Sequence, residues 1–309
     1  VVVVVVVVVA VLAALVWANG PWRHSYHDVW SWHVPLGLDR LHLRWTLEEW
    51  VNDALMSVFF FVVGIEIKRE LTLGHLRDRR AALLPAIAAL GGMVVPALIY
   101  RFVSDPAYRH GWGIPMATDI ALAVGMVALL GHRIPRSVRV FLLALAVADD
   151  VGAILVIAFF YGGRTEWGWL GAAVGTVVAA VLAVRLRLEV AAVYVVLAVV
   201  GWYALVRSGL HPTLMGVAFG LIAPVSALEH LEHVWHRWSS WVIVPAFALA
   251  NAGVEIGLHA ARTAIASRPG LAIILGLVAG KTLGIVGTVF VAVRLRLAPL
   301  PAGANWRTL

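Results

Sequence analysis

The chain has 309 residues, 62% of them hydrophobic and only 13% charged, where soluble domains run near 45–50% and about 25%. Its 24 Lys and Arg against 17 Asp and Glu leave a formal charge of +7, and it has no cysteine. The apolar excess excludes a water-soluble enzyme and a disordered chain, and the scatter of the positive charge excludes a nucleic-acid binder; the missing thiols exclude disulfides, thiolate metal sites and cysteine nucleophiles.

A lipid-spanning helix needs about 20 mostly apolar residues. The hydropathy pattern predicts ten, some of them short: Val1–Ala18, Leu47–Ile67, Ala81–Val103, Met116–Leu130, Val138–Tyr161, Trp167–Val184, Val190–Val206, Thr213–Ala223, Trp241–Val254 and Leu271–Val293. The fold class is therefore an all-α polytopic membrane protein, solvated by the lipid bilayer. No linker or composition shift divides it, so 1–309 reads as a single membrane domain.

Span one opens on nine valines, Val1–Val9, without a charged n-region or a cleavage site. It is a natural apolar helix start or an artificial stretch, and not a signal peptide. The following segment, 19–46, carries Trp22, Trp30, Trp32 and Trp45 and reads as an excursion at headgroup level, where aromatic belts sit. Span two opens on Asn52-Asp53 and closes on Glu66, Arg69 and Glu70, whose i,i+3 and i,i+4 spacing an ordinary solvated helix end would also show.

Charges inside the remaining spans are the informative residues, because each costs about 2.5–3.5 kcal/mol at a helix centre and marks function by default. Before span four, Gly111-Trp112-Gly113-Ile114-Pro115 predicts a broken helix, whose freed end Asp119 and Thr118 would compensate. Asp149 and Asp150 lie mid-way along span five. Neighbours on a helix point about 100° apart, and two carboxylates so close titrate as a coupled pair. Such a pair can hold a proton or a hard cation. His211 precedes Pro212 at the start of span eight, and Glu229, His230, Glu232, His233 and His236 follow it, a patch suited to sensing pH. Its histidines at i, i+3 and i+6 fan around a helix and do not converge on a metal. Lys281 is the only cation inside a span and needs an intramembrane acid, for which the aspartate pair is the leading candidate. Gly280-Lys281-Thr282 also echoes a nucleotide loop, but in an apolar setting that does not support one.

Short-loop Lys and Arg set orientation. The loops after spans two, four, six and eight, with the tail, hold 14, and the opposite side 9. The loop after span two decides it, with Lys68, Arg69, Arg77, Arg79 and Arg80. Both ends of this chain are expected in the cytoplasm.

Several strings together resemble the NhaA-type sodium/proton antiporters of bacterial inner membranes. They are Asn52-Asp53-Ala54-Leu55-Met56, Gly64-Ile65-Glu66-Ile67-Lys68-Arg69-Glu70-Leu71, Ala117-Thr118-Asp119-Ile120-Ala121, Asp149-Asp150-Val151-Gly152-Ala153-Ile154, Ser208-Gly209-Leu210-His211, Leu231-Glu232-His233, Ala250-Asn251-Ala252-Gly253-Val254 and Gly280-Lys281, in the family's order across nearly the whole chain. The resemblance implies a secondary transporter and no enzyme: an electrogenic, pH-regulated exchanger of cytoplasmic Na+ or Li+ for external protons, without cofactor. On the matching positions, Asp149 and Asp150 would bind the proton and the Na+ or Li+, and Lys281 would pair with Asp149. Thr118 and Asp119 would belong to the broken-helix assembly. Glu66, Arg69, Glu70, Glu232, His233 and His236 would form the pH-responsive region, with His211 tuning it. The family is itself a standard example of inverted repeats with discontinuous helices, so that architecture comes with the resemblance. A homodimer through the Trp-rich segment 19–46 is also implied.

The chain departs from the family in lacking two helices after the one that carries Lys281, which leaves an inactive truncated antiporter as the main alternative. A sodium-coupled solute symporter would need a polar substrate pocket that this chain does not advertise. An intramembrane aspartyl protease would need two facing aspartates, which neighbours on one helix do not supply.

Overall fold

The computed structural model describes residues 2–34, 43–74, 79–116, 136–162, 165–188, 190–225, 228–254, 257, 263 and 265–300. Most of the expected span four, with Thr118 and Asp119, lies outside the described residues. The described residues are helical apart from loops and one isolated antiparallel bridge between His33 and Thr46. The helices are α1 Val2–Asn19, α2 Arg23–Trp30, α3 Leu47–Thr72, α4 Arg79–Val103, α5 Arg136–Phe160, α6 Trp167–Arg185, α7 Ala191–Ser208, α8 Thr213–Ile222, α9 Leu228–Trp238, α10 Val244–Asn251 and α11 Arg268–Arg294. Seven of them (α1, α3, α4, α5, α6, α7 and α11) are long and apolar enough to cross a membrane. Expected span eight is α8, only 10 residues long. Expected span nine is an 8-residue helix, α10, behind a π-helical turn at Ser239–Ile243.

Local chemistry marks the helix ends. Thr46 and Glu49 open α3 with a capping box, in which Thr46 Oγ1 accepts from Glu49 N at 3.2 Å and Thr46 N donates to Glu49 Oε2 at 2.7 Å. Ser267 caps α11 by accepting from Gly270 N at 3.1 Å, with Pro269 in the first turn, where its missing amide proton costs nothing. Gly209 ends α7 at φ 82°. The sequence Ala-Val-Arg-Leu-Arg-Leu occurs twice, at 183–188 and 292–297, and closes α6 and α11 identically. In each copy the second Arg adopts a left-handed φ (55° at Arg187, 57° at Arg296), and the next Leu amide returns to the Ala carbonyl at 3.0 and 2.9 Å.

The packing is that of a membrane protein. Small residues fill the buried faces, among them Ala14, Ala18, Ala88, Ala180 and Ala204, while Leu90 and Val94 of α4 and Val174, Val178 and Leu182 of α6 face outward. Lipid tails are as apolar as leucine, so helices gain by close backbone approach and not by hiding large side chains from their solvent.

The chain forms two compact units, each made from two stretches of sequence. One comprises 70–160 and 257–309 and holds α4, α5 and α11. The other comprises 2–69 and 161–256 and holds α1, α2, most of α3, and α6 to α10.

Candidate functional site

In the first unit, α4 is the bed on which α5 and α11 lie. Gly284 of α11 meets Gly91 of α4 backbone to backbone, and a Cβ at Gly280 would stand 2.9 Å from the Cα of Pro96. On the other side Gly152 of α5 leaves room for the Met93 thioether of α4. A π-helical turn, Gly276–Gly280, immediately precedes Lys281; single π turns inside α-helices are frequent at functional sites.

These contacts bring two charges together near the centres of their helices. Lys281 Nζ donates to Asp149 Oδ2 at 2.8 Å, with the two side chains 13% and 4% exposed. The other oxygen, Asp149 Oδ1, is buried and accepts no hydrogen bond. An ionised carboxylate can accept about four, so this buried ion pair keeps one oxygen open to a proton or a cation. Asp150 follows, half-buried, pointing about 100° away around α5.

The second unit holds Glu66, Arg69, His211, Glu232, His233 and His236, and Glu70 follows at the boundary between the units. At the end of α3, Arg69 NH1 donates to Glu232 Oε1 of α9 at 2.6 Å, with side chains 51% and 23% exposed. Glu66 and Glu70 flank Arg69 on the same helix. His236 Nε2 lies 3.5 Å from Ser240 Oγ, and His233 is exposed. At the opposite end of α3, Asp53 lies within a π-helical turn, and His211, just before α8, is in electrostatic reach of its carboxylate. Among the described residues no three His, Asp or Glu side chains gather as a metal site.

Three connections in this unit are pairings that the sequence does not announce. Asn52 and Asn251 exchange side-chain amides at 2.7 and 3.1 Å. Tyr26 of α2 closes the end of α10, its hydroxyl within 2.9 Å of the Leu249 and 2.8 Å of the Ala250 carbonyl and accepting from Gly253 N at 3.1 Å. Burial, with a smaller push from Glu48, raises the Tyr26 phenol above its ordinary value against the Gly253 bond, which lowers it. Lys68 Nζ donates to the Ala223 carbonyl at 2.5 Å. A side chain that bonds a backbone carbonyl leaves no pattern of residue types to read. By contrast, the spacing Gly276, Gly280, Gly284 is a small-xxx-small signal that could have marked the α11 seam.

The Na+/H+ antiporter 1 family model matches residues 2–309. Among curated proteins the chain is similar to a Na+/H+ antiporter NhaA of an Acidovorax species, at 46% identity over 95% of this chain and 74% of that protein. It is 45% identical to the protein of the same name from Nocardia farcinica, over 96% of this chain and 73% of that one. A Na+/H+ antiporter NhaA 2 of Clostridium beijerinckii is 39% identical, over 96% of this chain and 76% of that protein.

Proposed function

This chain belongs to the Na+/H+ antiporter 1 family, and from that premise we propose that it exchanges cytoplasmic Na+ or Li+ for external protons at Asp149 and Asp150. It is a membrane transporter and not an enzyme. The observation that carries the site assignment is the half-satisfied Asp149 carboxylate, with Oδ2 on Lys281 and Oδ1 buried without a partner.

Competition runs the exchange. Na+ and Li+ are hard cations that take oxygen ligands, and the same carboxylates bind protons. When cation or proton neutralises the site, the attraction holding Lys281 falls, so the ammonium is free to separate from Asp149. When the site empties, the pair closes again and keeps a bare charge out of the membrane interior. Exchange is electrogenic and needs no cofactor. As pH falls, protons displace the cation and transport stops.

Around this core, the whole of 1–309 works as one transport domain with ten spans in an inverted-repeat arrangement. It sits in the bacterial inner membrane with both ends of this chain in the cytoplasm. Thr118 and Asp119 compensate a broken helix. Glu66, Arg69, Glu70, His211, Glu232, His233 and His236 adjust activity to pH, and a homodimer forms through 19–46.

The test is proton movement in sealed vesicles carrying the protein, triggered by added Na+ or Li+. Wild type is expected to respond and Asp150→Asn to be silent. An Asp150→Asn protein that still couples cation to proton would overturn the site.

A further inference from the structure

Helix α8 has 10 residues and is therefore about 15 Å long, half the roughly 30 Å depth of the hydrocarbon. Such a helix cannot cross alone, and the last carbonyls of any helix have no partner within it, so they need one from elsewhere. At Ala223 the chain turns out of the helix, at ψ 136°, with the residue 7% exposed. The Lys68 ammonium supplies the missing donor to its carbonyl at 2.5 Å. The cation also opposes the negative end of the α8 dipole.

Lys68 sits one turn beyond a seam along which α3 and α8 run side by side. A Cβ at Gly64 would stand 3.0 Å from the Cα of Gly220. Gly216 faces Ser57 and the Phe61 amide, and Gly220 faces the Phe61 carbonyl. The seam is thus closed by backbone contact along its length and by a charged hydrogen bond at its end. The next residue, Arg69, grips Glu232 beyond the corner that follows α8.

We propose that Lys68 is a positioning residue for transport, clamping the end of α8 to α3 so that the two helices move as one piece through the transport cycle. The inference rests on the antiport reading given above. Lys68 belongs to the unit that does not carry Asp149 and Asp150, so its loss slows the conformational step and leaves cation binding alone.

The experiment compares wild type, Lys68→Met, Lys68→Arg and Asp150→Asn in the same vesicles, as the rate at saturating Na+ and the Na+ concentration giving half that rate. Hydrogen exchange of residues 213–223 is measured on each protein. Lys68→Met keeps the aliphatic stem and removes the donor. It is expected to lower the saturating rate at least fivefold, move the half-saturating concentration less than twofold and speed exchange at the end of α8. Lys68→Arg should recover at least half the rate. A Lys68→Met rate within twofold of wild type overturns the proposal, as does an arginine variant no faster than the methionine one. If the methionine variant does not reach the membrane, Lys68→Gln is judged by the same thresholds as Lys68→Met. If wild type itself shows no cation-driven proton movement, the antiport reading fails. Exchange at 213–223 then decides the clamp alone: unchanged protection in Lys68→Met refutes it.

Discussion

Two ion pairs of nearly equal length behave as different objects. Lys281 and Asp149 meet at 2.8 Å with side chains 13% and 4% exposed, and Arg69 and Glu232 meet at 2.6 Å with 51% and 23%. Distance alone would rank the second pair higher. Solvent reverses the order, because water and salt screen the exposed pair and its two long side chains must be ordered to form it. The buried pair has already lost its hydration, so each partner depends on the other. Equal geometry with unequal solvation thus separates a charge that the membrane interior holds in place from one that is free to respond to the surrounding solution.

Removing one side of the buried pair is the most direct way to break this contrast. Lys281→Met leaves Asp149 without its ammonium, and thermal unfolding in detergent should show a loss of about 3–5 kcal/mol. Adding Asp149→Leu to that variant should recover most of the stability, since apolar replacement of a buried pair is often neutral, while cation-driven proton movement stays absent. A double variant as unstable as the single would mean that the pair's burial is not what matters.

Next in size is the seam that delivers Lys281. A side chain at Gly284 falls on the Gly91 carbonyl, a backbone atom that cannot swing aside. Gly284→Val should cost about 1–3 kcal/mol as an overpacking change and displace Lys281 from Asp149, lowering transport as well.

Tyr26→Phe is expected to cost about 0.5–1.5 kcal/mol, the range for one net hydrogen bond, read as a lower melting temperature. Its pH dependence follows from the raised phenol. A group whose folded-state pKa lies above its unfolded value contributes fully below the unfolded one, near 10, and loses that contribution as pH rises through the folded one. The gap between wild type and Tyr26→Phe should therefore close at strongly alkaline pH.

The smallest effect belongs to the exposed pair. Glu232→Gln should change stability by about 1 kcal/mol or less, and the difference should shrink further as salt is raised. A loss as large as that of Lys281→Met would abolish the contrast between the two regions.

The residues that matter most were legible because the membrane makes them expensive. Asp149, Asp150 and Lys281 stand out in apolar stretches where no stability argument would retain them. Which aspartate lies against Lys281 was open from the residues alone: on a helix the two differ only by a rotation, and Lys281 is 132 residues away from Asp149 in the chain. The glycine contacts on α4 select Asp149. The Glu66, Arg69 and Glu70 spacing likewise points to partners within one helix, whereas Arg69 reaches across to the Glu232 carboxylate on α9. Hydropathy counted span eight as a crossing candidate; its shortness became meaningful only with Lys68 at its end.

By itself the sequence determined the solvent, the helical class and the positions of the costly charges, since these follow from local composition and from the free energy of moving each residue into lipid. Tertiary structure decided the contacts: Lys281 on Asp149 Oδ2, a pairing the family resemblance had implied, Arg69 with Glu232, Lys68 with the Ala223 carbonyl, Tyr26 with the end of α10. Each joins residues far apart in the chain: two end on a backbone carbonyl, a group that every residue carries, and two on a carboxylate whose partner no local pattern of residue types names.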